Sequence, residues 1–181
     1  MDVTCTIECD LKPTEAAETI LLQHLAYPDT PHFACRRWCH SPLEGDDLWF
    51  ALRRDGRLLG SCRLLHRRIK AGEAELIVGG VGNVCSHPDA RGIGAAKACM
   101  FAAADYMLQG GKVDFGMLFC GKHVVEFYRK LGWHRITNEV VRTPPPPAGR
   151  EQVRGNVMIC PGRMPLDQWP AGPVDLNGDD W

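Results

Sequence analysis

Between residues 84 and 100 the chain reads VCSHPDARGIGAAKACM, and this stretch carries its clearest chemistry. A β-like run stops at His87-Pro88, Arg91 follows, and then come Gly92, Ile93, Gly94, Ala95 and Ala96 ahead of an alanine-rich helical pattern. With so little side-chain polarity, the segment can offer bare backbone N–H groups. The amides of about 92–96 point into one concavity and the helix dipole adds positive potential, which is how a helix start holds a phosphate. Arg91 can add charge or brace the loop. Two phosphate patterns fail here: a P-loop needs Ser or Thr after its lysine, but Lys97 is followed by Ala98, and a dinucleotide fingerprint needs a third glycine where Lys97 stands. The pattern that is met is Arg-x-x-Gly-x-Ala, through Arg91, Gly94 and Ala96. A plain helix start with convenient glycines is the other reading of these residues alone.

The elements that would position this loop follow from periodicity. Residues 3–9 alternate and read as a strand, and Pro13 opens a helix whose apolar face would use Ala17, Ile20, Leu21, His24 and Leu25. Two apolar runs around Asp55-Gly56 form a hairpin, since that pair tolerates positive φ. A further strand covers 74–86, with Gly79, Gly80 and Gly82 marking a bulge or a close approach. After the loop, a helix runs to about Gln109, VDFGMLFC is a buried strand, GKHVVEFYRKLG a helix, WHRITNEVV a strand and GNVMICPG the last strand. The pattern predicts one α/β domain over residues 1–181.

Composition excludes several classes. The chain has 181 residues with 21 Lys+Arg against 22 Asp+Glu, a net charge of −1, which argues against a nucleic-acid binder. The cluster His66, Arg67, Arg68 and Lys70 reads as an exposed strand end. The start MDVTCTIECD has no basic leader and no apolar run approaches a bilayer span, so a soluble cytoplasmic chain without membrane contact is expected. The 9 cysteines are an odd count without framework spacing and read as small buried hydrophobes in a reducing compartment. Cys35, Cys39 and His40 lack a fourth ligand at matching spacing, so a short helix at 33–40 with packing cysteines is expected and no metal.

The loop does not stand alone, because VEFYRKLGW follows at residues 125–133. With SHPDARGIGAAKA it resembles the two motifs of the GCN5-related N-acetyltransferase superfamily, in the right order across a span of about 50 residues. The resemblance implies a mixed, mostly antiparallel central sheet with splayed central strands and helices on both faces, and acetyl-CoA as cosubstrate. It implies that Val84, Cys85 and Ser86 pair by main-chain bonds with the pantetheine arm, one N–H near Val84 polarising the thioester carbonyl. It also implies that residues 91–96 hold the pyrophosphate and that Tyr128 protonates the leaving thiolate. A core tyrosine whose hydroxyl finds some partner is the alternative. Two departures stand out: an asparagine common in the family is Gly121 here, and a glutamate that relays the amine's proton is Gly82. Glu75, Asp114, His87 or a tail acid, through water, could take over that relay.

The tail DLNGDDW resembles the end of aminoglycoside 2′-N-acetyltransferases, where the chain end lines the aminoglycoside site. Asp175, Asp179, Asp180 and the carboxylate of Trp181 then suit a polycationic sugar. RRIKAGEAELIVGGVG, the preceding LLGSCRLL and WPAGPVDLNG resemble the nodulation N-acyltransferase, which implies acylation of a chitin-oligosaccharide amine; the two resemblances together cover most of residues 47–181. Both resemblances imply N-acylation of an amino sugar. The expectation is acetyl transfer to an aminoglycoside, of the kind kasugamycin 2′-N-acetyltransferases modify, inactivating the antibiotic. A homodimer is left open, and so are another acceptor amine and a non-catalytic coenzyme A-binding module.

Overall fold

The computed structural model of the chain describes residues 2–30, 45–110 and 112–181. Cys35, Cys39, His40 and the helix expected around them lie outside the described residues. Strand β1 (Val3–Ile7) leads into helix α1 (Pro13–Ala26). Pro13 sits where a helix needs no N–H, and the Glu15 carboxylate accepts the Lys12 amide at 3.0 Å. Strands β2 (Leu48–Arg54) and β3 (Arg57–Ala71) form the hairpin, turning at Asp55 and Gly56 with φ of +51° and +75°. Then come β4 (Ala74–Ser86), α2 (Ala95–Gln109), β5 (Phe115–Cys120) and a short α3 (Val125–Arg129). The chain closes with β6 (His134–Arg135), β7 (Val140–Arg142), β8 (Glu151–Gln152), β9 (Asn156–Pro161) and β10 (Val174–Asp175).

These strands form one mixed sheet in the order β6-β9-β5-β4-β3-β10-β7-β8, with β2 and then β1 on the first half of β3. Among the described pairs only β4–β5 and β7–β10 run parallel. The parallel pair is the one that α2 connects, as a crossover requires. It pairs over just Val78–Phe115, Gly79–Gly116 and Gly80–Met117; past that rung β4 and β5 diverge, and β5 keeps β9 on its other edge. The expected mixed, mostly antiparallel sheet with splayed centre is therefore present. Helix α2 packs on one face through Cys99, Met100, Ala103 and Met107. Its approach needs glycine on the sheet: a Cβ at Gly79 would meet Met107 Sδ at 2.6 Å, and one at Gly116 would meet Met107 Cε at 2.9 Å. The opposite face carries α1, and farther along the strands β10 and the tail close a second core around Leu65, Ile69, Phe115 and Leu176.

Several local readings change. Helix α1 buries Thr19, Leu22 and Gln23, while Leu21 and Leu25 are 59% and 41% exposed. Leucines lie on more than one side of ILLQHL, so periodicity alone leaves its rotation open; the Glu18–Arg53 ion pair at 2.5 Å and the Tyr27 hydroxyl hold the observed one. The strand expected from WHRITNEVV is two strands, β6 on β9 and β7 on β10 and β8. Arg67, expected on an exposed strand end, is fully buried. Cys5 and Cys9 are exposed, whereas Cys62, Cys85, Cys99 and Cys160 are buried as expected.

Candidate active site

The bulge that the glycines of β4 announced lies one residue beyond them. Ser61 pairs with Cys85 and Arg63 with Gly82, so β4 uses three steps where β3 uses two. Asn83 absorbs the extra residue with φ of +52°, a conformation asparagine tolerates better than most. Gly80 instead makes room for Trp181, while Gly82 lies beside that residue's main chain. Val84 has no partner on β3, and its carbonyl accepts a hydrogen bond from the Tyr27 hydroxyl at the end of α1. Sequence reading missed Tyr27. Its signal was no more than an aromatic residue before Pro28.

Beyond the bulge the loop has the expected form. Gly92 and Gly94 have φ of +84° and +86°, and an added Cβ at either would meet nothing within 4 Å. Only glycine takes that backbone shape freely. Gly94 is the N-cap of α2 and brings no side chain to cover the first-turn amides. Ala95 is buried against β3, where a Cβ at Gly60 would lie 2.8 Å from that of Ala95. The Ala96 amide donates to Ser86 Oγ at 3.1 Å, tying the helix start to the strand end. Arg91, Gly92, Ile93 and Gly94 stay exposed on the rim. The residues present therefore fit a pyrophosphate: a glycine-shaped helix start, with only its Ala96 amide taken by the Ser86 side chain, opens next to a strand edge.

Strand β4 past Gly80, the end of β5 and α3 enclose a cleft of about 430 Å³, lined among others by Asn83, Val84, Phe119, Phe127, Tyr128 and Trp181. Tyr128 is 8% exposed, stacked edgewise on Phe127 and Trp133 at 5.1 and 6.5 Å. Burial, with the Tyr27 phenol nearby, pushes its pKa far above that of an ordinary tyrosine. It stays protonated at neutral pH, and the same rise makes it a weaker acid than a free tyrosine. Cys85 is likewise pushed up by burial, to about 11, and stays a thiol. Gly121 leaves no asparagine side chain, but the His123 ring covers that spot: a Cβ at Gly121 would lie 2.9 Å from its Cε1. His123 is a second cleft residue that sequence reading missed.

The tail meets the cleft through Trp181 alone. Its indole lies over Gly80, where a Cβ would come within 2.4 Å of Cε2, and its main-chain carbon lies 3.5 Å from a Cβ at Gly82. The ring is 5% exposed, donates to the Met117 carbonyl at 3.4 Å, meets the edge of Phe119 at 4.9 Å and carries the Arg67 guanidinium at 4.9 Å. The acidic residues do not form an open anionic patch. Asp175 pairs with Arg150 at 2.7 Å, while Asp179 and Asp180 share Arg142, which also holds Glu151 at 2.9 Å. Burial raises the Asp180 pKa and Arg142 opposes that rise. The Asp179 carbonyl accepts from the buried Arg67. None of Glu75, Asp114 and His87 lines the cleft: Glu75 faces Arg68, Asp114 holds the Ile77 amide and Arg163, and His87 lies beside Arg57.

A parallel strand pair that opens after three rungs, a bulged edge and a glycine-shaped helix start beside it make up the cleft, in a fold shared with N-acyltransferases. An acyl-CoA N-acyltransferase from Pseudomonas aeruginosa superposes with a TM-score of 0.56 at 22% identity, over 88% of this chain and 99% of that one. A GNAT family acetyltransferase from Brucella melitensis, solved with acetyl-CoA, gives 0.53 at 20% identity over 74% and 83%. The acetyltransferase (GNAT) domain family matches residues 10–136, and the chain belongs to that family of N-acetyltransferases. Among curated proteins it is similar to nodulation protein A of Bradyrhizobium sp. (strain NC92), 27% identical over 157 residues, 77% of this chain and 74% of the relative. The nodulation protein A of Mesorhizobium japonicum is also 27% identical, over 155 residues. Among the described residues no helix is long and apolar enough to cross a membrane.

Proposed function

We propose that the chain transfers acetyl from acetyl-CoA directly to the amine of an amino sugar, a 2′-amino aminoglycoside such as kasugamycin. The observation that carries the donor half is the open edge of β4 between Gly82 and Ser86, ending at the glycine-shaped start of α2. Amides of residues 92–95 bind the pyrophosphate, and the bulged edge at Val84 and Cys85 lines up the pantetheine as an extra strand. An N–H at the bulge faces the thioester oxygen, a fixed donor of the kind that contributes about 3 kcal/mol to such reactions. Tyr128 delivers its proton to sulfur as the C–S bond breaks and the C–N bond forms, and the amine's proton leaves to water. Tyr128 then recovers a proton from solvent.

The acceptor half rests on the resemblance of the tail, whose Trp181 reaches the cleft lining. Asp179 and Asp180 act through Arg142 by holding the tail that carries this residue. A second reading, an amine acceptor of lower charge, draws on the pairing of Asp175, Asp179 and Asp180 with arginines. Thiol release from acetyl-CoA, followed with kasugamycin, other 2′-amino aminoglycosides, chitin oligosaccharides bearing a free amine and a simple amine panel, tests both. Turnover with 2′-amino aminoglycosides above the hydrolysis background is expected. Turnover with only low-charge amines would replace the aminoglycoside reading. Coenzyme A binding without turnover on any amine would leave a non-catalytic binding module.

A further inference from the structure

The cleft ends at one rung of the sheet. Gly80 and Met117 are the last partners of the β4–β5 ladder, and the Trp181 indole lies on that rung. It is fixed from several sides: the Met117 carbonyl takes its N–H, Arg67 stacks on its face, the edge of Phe119 abuts it and Gly80 seats it. A side chain at position 80 would collide with the ring, so the fold gives up a side chain on its central strand to place an indole there. The Ser86 end of the same edge opens on the helix start. A thioester anchored there runs along β4 toward Gly82, and whatever its acyl group carries beyond the carbonyl points at the indole.

We propose that Trp181 sets the acyl-chain length this site accepts, closing the apex of the splay so that acetyl fits and longer chains do not. The inference rests on the thioester-donor reading above. Protein interiors are packed too tightly to absorb added methylenes without displacing a neighbour. The neighbour here is a ring held by a hydrogen bond, a cation and an aromatic edge. Around it, Leu65, Met117 and Leu176 belong to the same apolar core as the indole, with the Arg67 guanidinium on the ring face. With the ring shortened, the space it fills beside this core becomes a continuation of the cleft that can take added methylenes.

The test is calorimetric titration of coenzyme A, acetyl-CoA, butyryl-CoA and hexanoyl-CoA into the wild-type chain, Trp181→Phe and Trp181→Ala, with thiol release measured for each thioester. Coenzyme A itself is the internal reference, since it carries no acyl group. Wild type is expected to bind hexanoyl-CoA at least about 10-fold more weakly than acetyl-CoA, the scale on which pockets discriminate methylenes. Trp181→Phe should shrink that ratio and Trp181→Ala should abolish or reverse it. Variants that keep coenzyme A affinity but show the wild-type ratio overturn the proposal, as does a wild type that binds all chain lengths alike. So does a variant that weakens only the acceptor, which would make the ring an acceptor platform. If Trp181→Ala does not fold, as judged by circular dichroism, Trp181→Phe decides. Failure of the wild type to bind any coenzyme A species sinks the donor reading, and this inference with it.

Discussion

At the Ser86 end of the cleft the chain presents backbone, and at the Gly80 end it presents side chains. The first end works through glycines 92 and 94, the amides they leave bare and the bulge at Asn83. The second works through Trp181, Phe119, Arg67 and the ion pairs of Arg142. A moiety common to every donor, the pyrophosphate, can be held by a fixed backbone shape. Selectivity for what is transferred needs surfaces that can be varied one residue at a time. The same contrast explains why the loop could be read from a local motif and the tail could not.

The sharpest way to break this contrast is at the point where the two ends meet. Tyr128→Phe should lower turnover by about 100-fold or more while coenzyme A affinity stays within about threefold, because a general acid acts only as charge develops on sulfur. Comparable losses in both, read from steady-state rates and titration calorimetry, would make Tyr128 a packing residue. At the side-chain end, Arg142→Ala should cost about 1–3 kcal/mol in urea unfolding at pH 7, since it strands two partly buried carboxylates. Asp180 already has a raised pKa from burial, so protonation favours the fold. That contribution is complete below the unfolded value near 4 and is lost as pH rises through the folded value. Removing Arg142 enlarges it, so the deficit of Arg142→Ala should shrink as pH falls toward about 4. A pH-independent deficit would contradict the pairing.

At the backbone end, Gly94→Ala forces a Cβ into the left-handed region, at a cost of about 1–2 kcal/mol. Coenzyme A affinity should fall by about 10-fold with the acyl-length preference untouched, which distinguishes the two ends directly. Tyr27→Phe, the smallest effect, removes the hydrogen bond to the Val84 carbonyl at about 0.5–1.5 kcal/mol. Burial holds the Tyr27 phenol well above its ordinary pKa. The stability this carries is present below about pH 10 and is lost as pH rises further. Denaturation midpoints between pH 8 and 11 should therefore fall less steeply in Tyr27→Phe than in wild type.

Much of this site was legible because its chemistry is local. The loop at 91–96, Tyr128 on its short helix and the long β4 each depend on residues within a few positions of one another. The bulge was foreseen, but its place was not: glycines signal tolerance of any close approach, and here Gly80 answers to Trp181 while Asn83 makes the bulge. Tyr27 and His123 were missed because each reaches the cleft from an element whose own pattern says nothing about it. Arg67 read as a surface charge because its partners, the Asp179 carbonyl and the Trp181 ring, lie more than 100 residues away in sequence.

The sequence by itself determined the strand and helix periods, the glycine-shaped loop and the family motifs, all set by backbone sterics and short-range patterning. Only the tertiary structure decided that the acidic tail is neutralised by Arg142 and Arg150 and that its last described residue closes the splay. Charge pairing and ring packing over that distance depend on which strands lie side by side, and β10 brings the tail onto β3 and β7 through pairings no local pattern encodes.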